Sequence, residues 1–377
     1  MLDNRPKITV LVPTFNRSNF LAECLDSLLS QTLPPVQVIV VNDGSTDGTL
    51  KVLQPYMKKI DYLETSQEGK AAALNCGMEK AVGDYLWVFD DDDVAFKDAL
   101  ERFAAPFEKN PALGFSYSTF YLTASQWFGH KIGSVMSESK VPDLNSRGFM
   151  IPLLEGNFLG GAALFARTHC YKEVGGFLPP LFRSQDYDMA IKIARRYQGI
   201  RLSGGPTFHY RQHEGMRGNI QDRFLIRFRP RKWFEYDQMI FRWVYKDFLL
   251  TEYLPPQLEA RGHERQALLQ RLAIMAYKML IPESISDLTD LSKVQDNAPF
   301  STEEKAIIYF MATAQYYNVS HALEQREFIE ELHRLSSPSE LIVRLKNEMV
   351  LSILKWRGEK LSPRRWIESK RRLSYLK

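Results

Sequence analysis

Four consecutive aspartates, Asp90-Asp91-Asp92-Asp93, follow the apolar run Tyr85–Phe89 (YLWVF) and are the residues of this sequence best suited to chemistry. Carboxylates packed this closely raise one another's pKa unless a cation neutralises them. Mg2+ or Mn2+ meets that need, because a hard divalent cation takes oxygen ligands and asks few of the protein when phosphates supply others. The same four letters also suit a solvated acidic loop capping a helix at Ala99–Phe107. The buried strand in front of them favours the cation.

Other polar residues have comparable double uses. Asp43, in VNDGSTDG, can accept hydrogen bonds from a nucleobase or ribose, or build an Asx turn before a helix. Gly69-Lys70 puts a cation at the start of an Ala-rich helix, where it can meet a phosphate or simply face solvent. Asp186, in QDYDM, opens the helix AIKIARRY and can serve as its N-cap or as a general base in a cleft. His213, in YRQHEG, can complete a metal site or pack as an ordinary histidine. The glycine-rich Asn157–Ala163 suits a tight turn, or a close approach of an acceptor to the backbone.

The elements that must position these residues alternate along the first half. Strands are expected at Lys7–Val12, Val36–Val41, Asp61–Glu64 and Tyr85–Phe89, and helices at Asn19–Gln31, Thr49–Lys58, Ala71–Ala81 and Asp186–Tyr197. Continuous apolar strands between amphipathic helices imply a mostly parallel sheet covered on both faces. Ligands of such sheets bind beyond the carboxyl ends of the strands. That edge holds Pro13–Arg17, Asn42–Asp47 and Asp90–Asp93, all rich in polar residues. Beyond Asn219 the pattern changes to helices at Arg223–Leu250, His263–Leu280, Thr302–Tyr317, His321–Leu335 and Ser339–Leu354, with breaks at LPPQ, IPES, APFS and SSPS. The expected organisation is α/β over residues 1–219, then an all-α module over 220–377.

Composition sets bounds. The 377 residues are 45% hydrophobic and 25% charged, with a net charge of +4, an ordinary globular profile. The first half is nearly balanced in charge, so it offers no continuous basic groove for nucleic acid. Cys24, Cys76 and Cys170 show no metal or disulfide spacing, which points to a reducing cytosol. The first apolar run is too short for a secretory leader, and no run is long enough to span a bilayer, so any membrane contact is expected to be peripheral, at the inner face. Basic and aromatic residues mix at Arg223–Tyr236 and again at Lys355–Lys377, suiting either an anionic membrane surface or packing against protein.

Taken together, VPTFNR, VNDGSTDGT, GKAAALN, FDDDD, QDYDM and YRQHEG occur in the order found in family 2 glycosyltransferases, and Lys7–Gly218 resembles their GT-A fold. The resemblance implies a Rossmann-like, mostly parallel central sheet flanked by helices. It implies that Pro13, Thr14 and Asp43 line a nucleoside pocket, with Lys70, Asn75, Asp90 and Asp91 also on the donor. It maps the family's DxD onto Asp90-x-Asp92, with Asp92 and His213 at an Mn2+ or Mg2+ ion, although Asp91-x-Asp93 offers a second register. Asp186 matches the catalytic base. Asn42 and Gln185 stand where the family commonly has aspartate and glutamate.

The reaction so implied is inverting transfer from a nucleotide-sugar, UDP-linked before GDP or dTDP, to a hydroxyl of a glycan or lipid-linked acceptor. Two other readings keep parts of the same chemistry. A non-catalytic sugar-nucleotide-binding protein needs Asp43 and Asp92 but not Asp186. A nucleotidyltransferase shares sheet and metal, but its Gly-rich, basic first loop is replaced here by PTFNRS.

Overall fold

The computed structural model describes residues 5–125, 131–213, 229–258, 261–296, 298–315, 321–358 and 363–376. The chain divides into two compact units: Met1–Pro142 with Asn157–Arg227, and Asp143–Gly156 with Phe228–Lys377. The boundary expected at 219 falls among residues 214–228, outside those described. The second unit also takes the segment 143–156, which the sequence pattern had assigned to the α/β part.

In chain order the elements up to residue 213 are β1 (Ile8–Thr14), α1 (Leu21–Leu29), β2 (Gln37–Asn42), α2 (Thr49–Leu53), β3 (Asp61–Glu64), α3 (Lys70–Glu79), β4 (Tyr85–Val88), β5 (Val94–Ala95), α4 (Ala99–Lys109), β6 (Phe115–Tyr117), β7 (Tyr121–Ser125), β8 (Ile132–Glu138), α5 (Met150–Glu155), β9 (Leu164–Arg167), α6 (Thr168–Glu173), α7 (Gln185–Arg196), β10 (Gly199–Arg201) and β11 (Phe208–Gln212). A seven-stranded sheet runs β10-β6-β9-β4-β1-β2-β3. All seven residues of β1 are buried, as a β-branched strand between β2 and β4 requires. β1 is parallel to both neighbours, and β2 to β3, whereas β9 runs antiparallel between β4 and β6. A second sheet, β5-β11-β7-β8, was not expected from the sequence; the run GFSYSTFYL splits between the two sheets.

The core of this unit joins Leu21, Leu25 and Leu28 of α1 to Val10 and Val12 of β1 and to an aromatic group of Trp87, Phe89, Phe103, Phe165 and Phe208. On the other face α3 lies so close to the sheet that a Cβ on Gly77 would stand 2.2 Å from the Leu11 side chain. That approach requires glycine and fixes the height of Lys70 at the helix start.

The second unit is helical: α5, then α8 (Arg229–Asp247), α9 (Glu264–Tyr277), α10 (Ile281–Ser292), α11 (Thr302–Thr313), α12 (Arg326–Ser336), α13 (Glu340–Gly358) and α14 (Pro363–Leu376). IPES, expected as a break, begins α10 instead. Pro282 sits in its first turn, where its missing N–H has no intrahelical partner to lose. Among the described residues no helix is long and apolar enough to cross a membrane. Two tail residues offered to a membrane serve packing: Trp356 is buried, and fully buried Arg372 stacks on its ring and donates to the carbonyls of Ala312 and Thr313. Arg223 and Arg227 lie outside the described residues, whereas Trp233, Phe234 and Tyr236 are half-buried.

Candidate active site

The sheet delivers its polar loops to one edge. In the parallel register Thr14 stands opposite Asn42, Asp43 donates its N–H to the Thr14 carbonyl at 2.9 Å, and Phe89 donates to Leu11 at 2.9 Å. The carboxyl ends of β1, β2 and β4 therefore lie side by side, with Pro13, Thr14, Asp43 and Asp90–Asp93 upon them.

Asp90, Asp92 and Asp93 each present an oxygen within 4.8 Å of the others, a group able to hold a metal ion. Asp91 turns elsewhere, its Oδ1 lying 3.6 Å from the Arg17 guanidinium. Burial pushes its carboxyl up to about 7, against the opposing pull of Arg17. Asp93 is fully buried; Oδ1 accepts the Arg211 N–H at 2.9 Å, and Oδ2 has no hydrogen-bond partner among the described residues. Burial, reinforced by Asp92 and Asp90, raises its pKa well above the usual carboxylate range. An orphaned buried oxygen beside two more carboxylates is a donor set that a hard divalent cation fits. His213 Nε2 lies 2.9 Å from Asp92 Oδ2, and its ring packs against Phe20, so it stands at the edge of this group.

Lys70, at the start of α3, reaches Asp90 Oδ1 at 2.5 Å. Burial works to lower its pKa, but Asp90 first, then Asp186 and Asp92, raise it on balance. Asp186 thus acts on the same lysine as two of the aspartates. Gly161 ties them closer: its N–H donates to Asp186 Oδ2 at 2.9 Å, and a Cβ on it would stand 3.5 Å from Asp90 Oδ2. Its φ of +53° also favours glycine. Asn157 Nδ2 donates to the same Asp186 oxygen at 3.1 Å, while Asn157 Oδ1 accepts the Leu159 N–H and so fixes the amide's orientation. Both bonds fall on Oδ2; Oδ1 of Asp186 has no hydrogen-bond partner among the described residues.

Two expected donor residues also serve the fold. Asp43 accepts from the Thr65 hydroxyl at 2.7 Å and from the N–H groups of Glu68 and Gly69 at 2.9 and 2.8 Å, which anchors the loop that leads into Lys70. Asn75 forms a reciprocal pair with the Phe177 backbone, each bond 2.8 Å, so its amide pins residues 176–177. Sequence reasoning missed Arg211 and Glu23, which brace the aspartate loop. The available signal was an arginine inside the strand-forming run FHYRQ, just ahead of His213. Glu214 and Gly215 of YRQHEG lie outside the described residues.

Residues 9–170 match the model of "Glycosyl transferase family 2". An uncharacterised glycosyltransferase of Rickettsia felis is 29% identical over 193 residues, half of this chain and 32% of that protein. Glycosyltransferase GlyA of Streptococcus pneumoniae serotype 4 is 33% identical over 133 residues, 34% of this chain and 19% of that protein. The chain spans only 19% to 59% of the length of such curated relatives. In fold it is similar to residues 1–349 of S. aureus TarS, in a crystal structure titled as a complex with UDP-GlcNAc: TM-score 0.52, 18% identity, covering 94% of this chain and 93% of that one. Residues 9–170, most of them in the α/β unit, thus belong to glycosyl transferase family 2.

Proposed function

We propose that the chain is an inverting glycosyltransferase moving a sugar from a nucleotide-sugar, a UDP-sugar first among the candidates, to a hydroxyl of a glycan or lipid-linked acceptor. The observation that carries this reading is Asp186: one oxygen is held by Asn157 and Gly161, the other accepts no hydrogen bond among the described residues, and the carboxylate flanks the same glycine as Asp90. A general base needs that combination of fixed orientation and a free oxygen within reach of substrate. The UDP-GlcNAc named for TarS supports the choice of UDP, and the family match supports glycosyl transfer.

In the proposed step the acceptor oxygen attacks the anomeric carbon and its proton passes to Asp186 Oδ1. The bond from that carbon to the diphosphate breaks, and the nucleoside diphosphate leaves. One displacement inverts configuration at the carbon. Asp92, with Asp90, Asp93 and His213 beside it, would hold Mn2+ or Mg2+. When bound, such an ion supplies neutralising charge to the departing diphosphate. Lys70 adds a fixed positive charge at the same edge. The free thiols of Cys24, Cys76 and Cys170 support a reaction on the cytoplasmic side, with any membrane contact peripheral.

Thermal shift against UDP-, GDP- and dTDP-sugars with Mn2+ identifies the donor, since a ligand stabilises the fold that binds it. Asp186→Asn should then lower transfer by about 10²–10⁴-fold with donor binding kept. Near-normal transfer by that variant removes Asp186 as base. Donor binding without transfer or hydrolysis by the native chain returns the non-catalytic reading.

A further inference from the structure

The aspartate loop is braced by an ion pair that the reaction itself does not use. Arg211, on β11, is fully buried, and its contacts converge on the loop and on α1. Its N–H donates to Asp93 Oδ1 at 2.9 Å, its Nε to the Asp92 carbonyl at 2.6 Å, and its Nη2 to Glu23 Oε2 at 2.5 Å. Its guanidinium stacks 5.0 Å from the Phe20 ring, the same ring that packs at 4.8 Å on His213. One turn along α1 from Phe20, the buried Cys24 thiol points at the Asp90 carbonyl at 3.6 Å. Glu23 in turn accepts the Ile132 N–H at the start of β8.

A buried guanidinium is costly unless paired, and here its partners include backbone and side-chain atoms of two residues in the carboxylate group. Three carboxylates left to themselves would splay apart, because their mutual repulsion is strong where water is excluded. We infer that Arg211 and Glu23 are positioning residues: they hold Asp92 and Asp93, and through Phe20 also His213, in the spacing a divalent cation needs. The inference rests on the metal-assisted reading above and adds to it the residues that set metal affinity from outside the ligand group. Outer partners of this kind typically govern affinity by about 10–100-fold.

The test is Mn2+ affinity measured by electron paramagnetic resonance in the presence of UDP, on native protein and on Arg211→Met, Arg211→Lys and Glu23→Gln. UDP binding in EDTA is measured alongside as a check on the nucleoside pocket. Arg211→Met should weaken Mn2+ by about 10–100-fold while metal-free UDP binding stays within about twofold. Arg211→Lys should recover part of the loss, because one ammonium reaches Glu23 or the Asp92 carbonyl but not both. Glu23→Gln keeps the shape and drops the charge, and should lie between native and Arg211→Met. It carries the test if the methionine variant does not fold. Native Mn2+ affinity in a folded Arg211→Met or in Glu23→Gln overturns the inference. Absence of Mn2+ binding by the native chain, with UDP still bound, overturns the metal-assisted reading and this one with it.

Discussion

Each unit of the chain buries charged groups, and one cluster from each shows two opposite outcomes. In the helical unit Arg265 is balanced. Its Nε and Nη2 donate to the two oxygens of Glu304 at 2.8 and 2.7 Å, its Nη1 donates to the carbonyls of Asp296 and Ala298, and Phe300 covers its face. Glu304 also closes a capping box with Ser301 at the start of α11. Nothing in that arrangement asks for a further ion. In the α/β unit Asp90, Asp92 and Asp93 crowd together with one buried oxygen unpartnered among the described residues. Lys70, Arg17 and Arg211 stand around them without satisfying both oxygens of Asp93. A buried charge cluster that is satisfied from within is a staple, whereas one that is left short is a place for a ligand.

The comparison can be broken by substitution. Arg265→Met leaves Glu304 buried without its partner, which should cost about 3 kcal/mol of stability. For a unit of this size that is a fall of roughly 6–12 °C in Tm. Donor affinity should stay unchanged below that temperature, and a loss of UDP binding in the cold would show that the pair is more than a staple. Asp93→Asn should act with the opposite sign. It keeps an acceptor for the Arg211 N–H and removes a like charge from the crowd, so the metal-free fold should gain about 1 kcal/mol, within the range of ordinary stabilising substitutions. Thermal unfolding in EDTA checks this, and Mn2+ with UDP should stabilise the variant less than the native chain. An Asp93→Asn variant less stable than native in EDTA would mean that the cluster is satisfied after all. Smallest is Arg371→Ser on the exposed face of α14, expected to change stability by less than about 0.5 kcal/mol. A larger loss would show that the tail's exposed basic residues also carry packing, as its buried neighbour Arg372 does.

Much of the site was legible along the chain because its residues end buried strands. A run such as ITVLVPT or YLWVF announces a strand covered on both sides, and the polar residues after it must lie at the sheet edge. That rule points to Asp43 and the four aspartates as candidates, while Lys70 and Asp186 are candidates as residues that open helices. What the pattern did not carry was the number of hydrogen bonds already waiting for each. Asp43 and Asn75 look like ligand contacts in sequence and are taken up by the backbone of Glu68, Gly69 and Phe177. Asn157 and Gly161 look like a tight turn and hold Asp186.

The sequence by itself determined the alternation of strands and helices, the family resemblance and the set of residues that end the strands, since hydrophobic period and turn chemistry are local. Only the tertiary structure decided the antiparallel insertion of β9, the second sheet, and the assignment of residues 143–156 to the helical unit, because a strand's own letters do not state its direction or partner. It also decided which aspartates face one another. Asp90, Asp92 and Asp93 converge while Asp91 turns to Arg17, because Arg211, 118 residues after Asp93, fixes the loop from a different sheet.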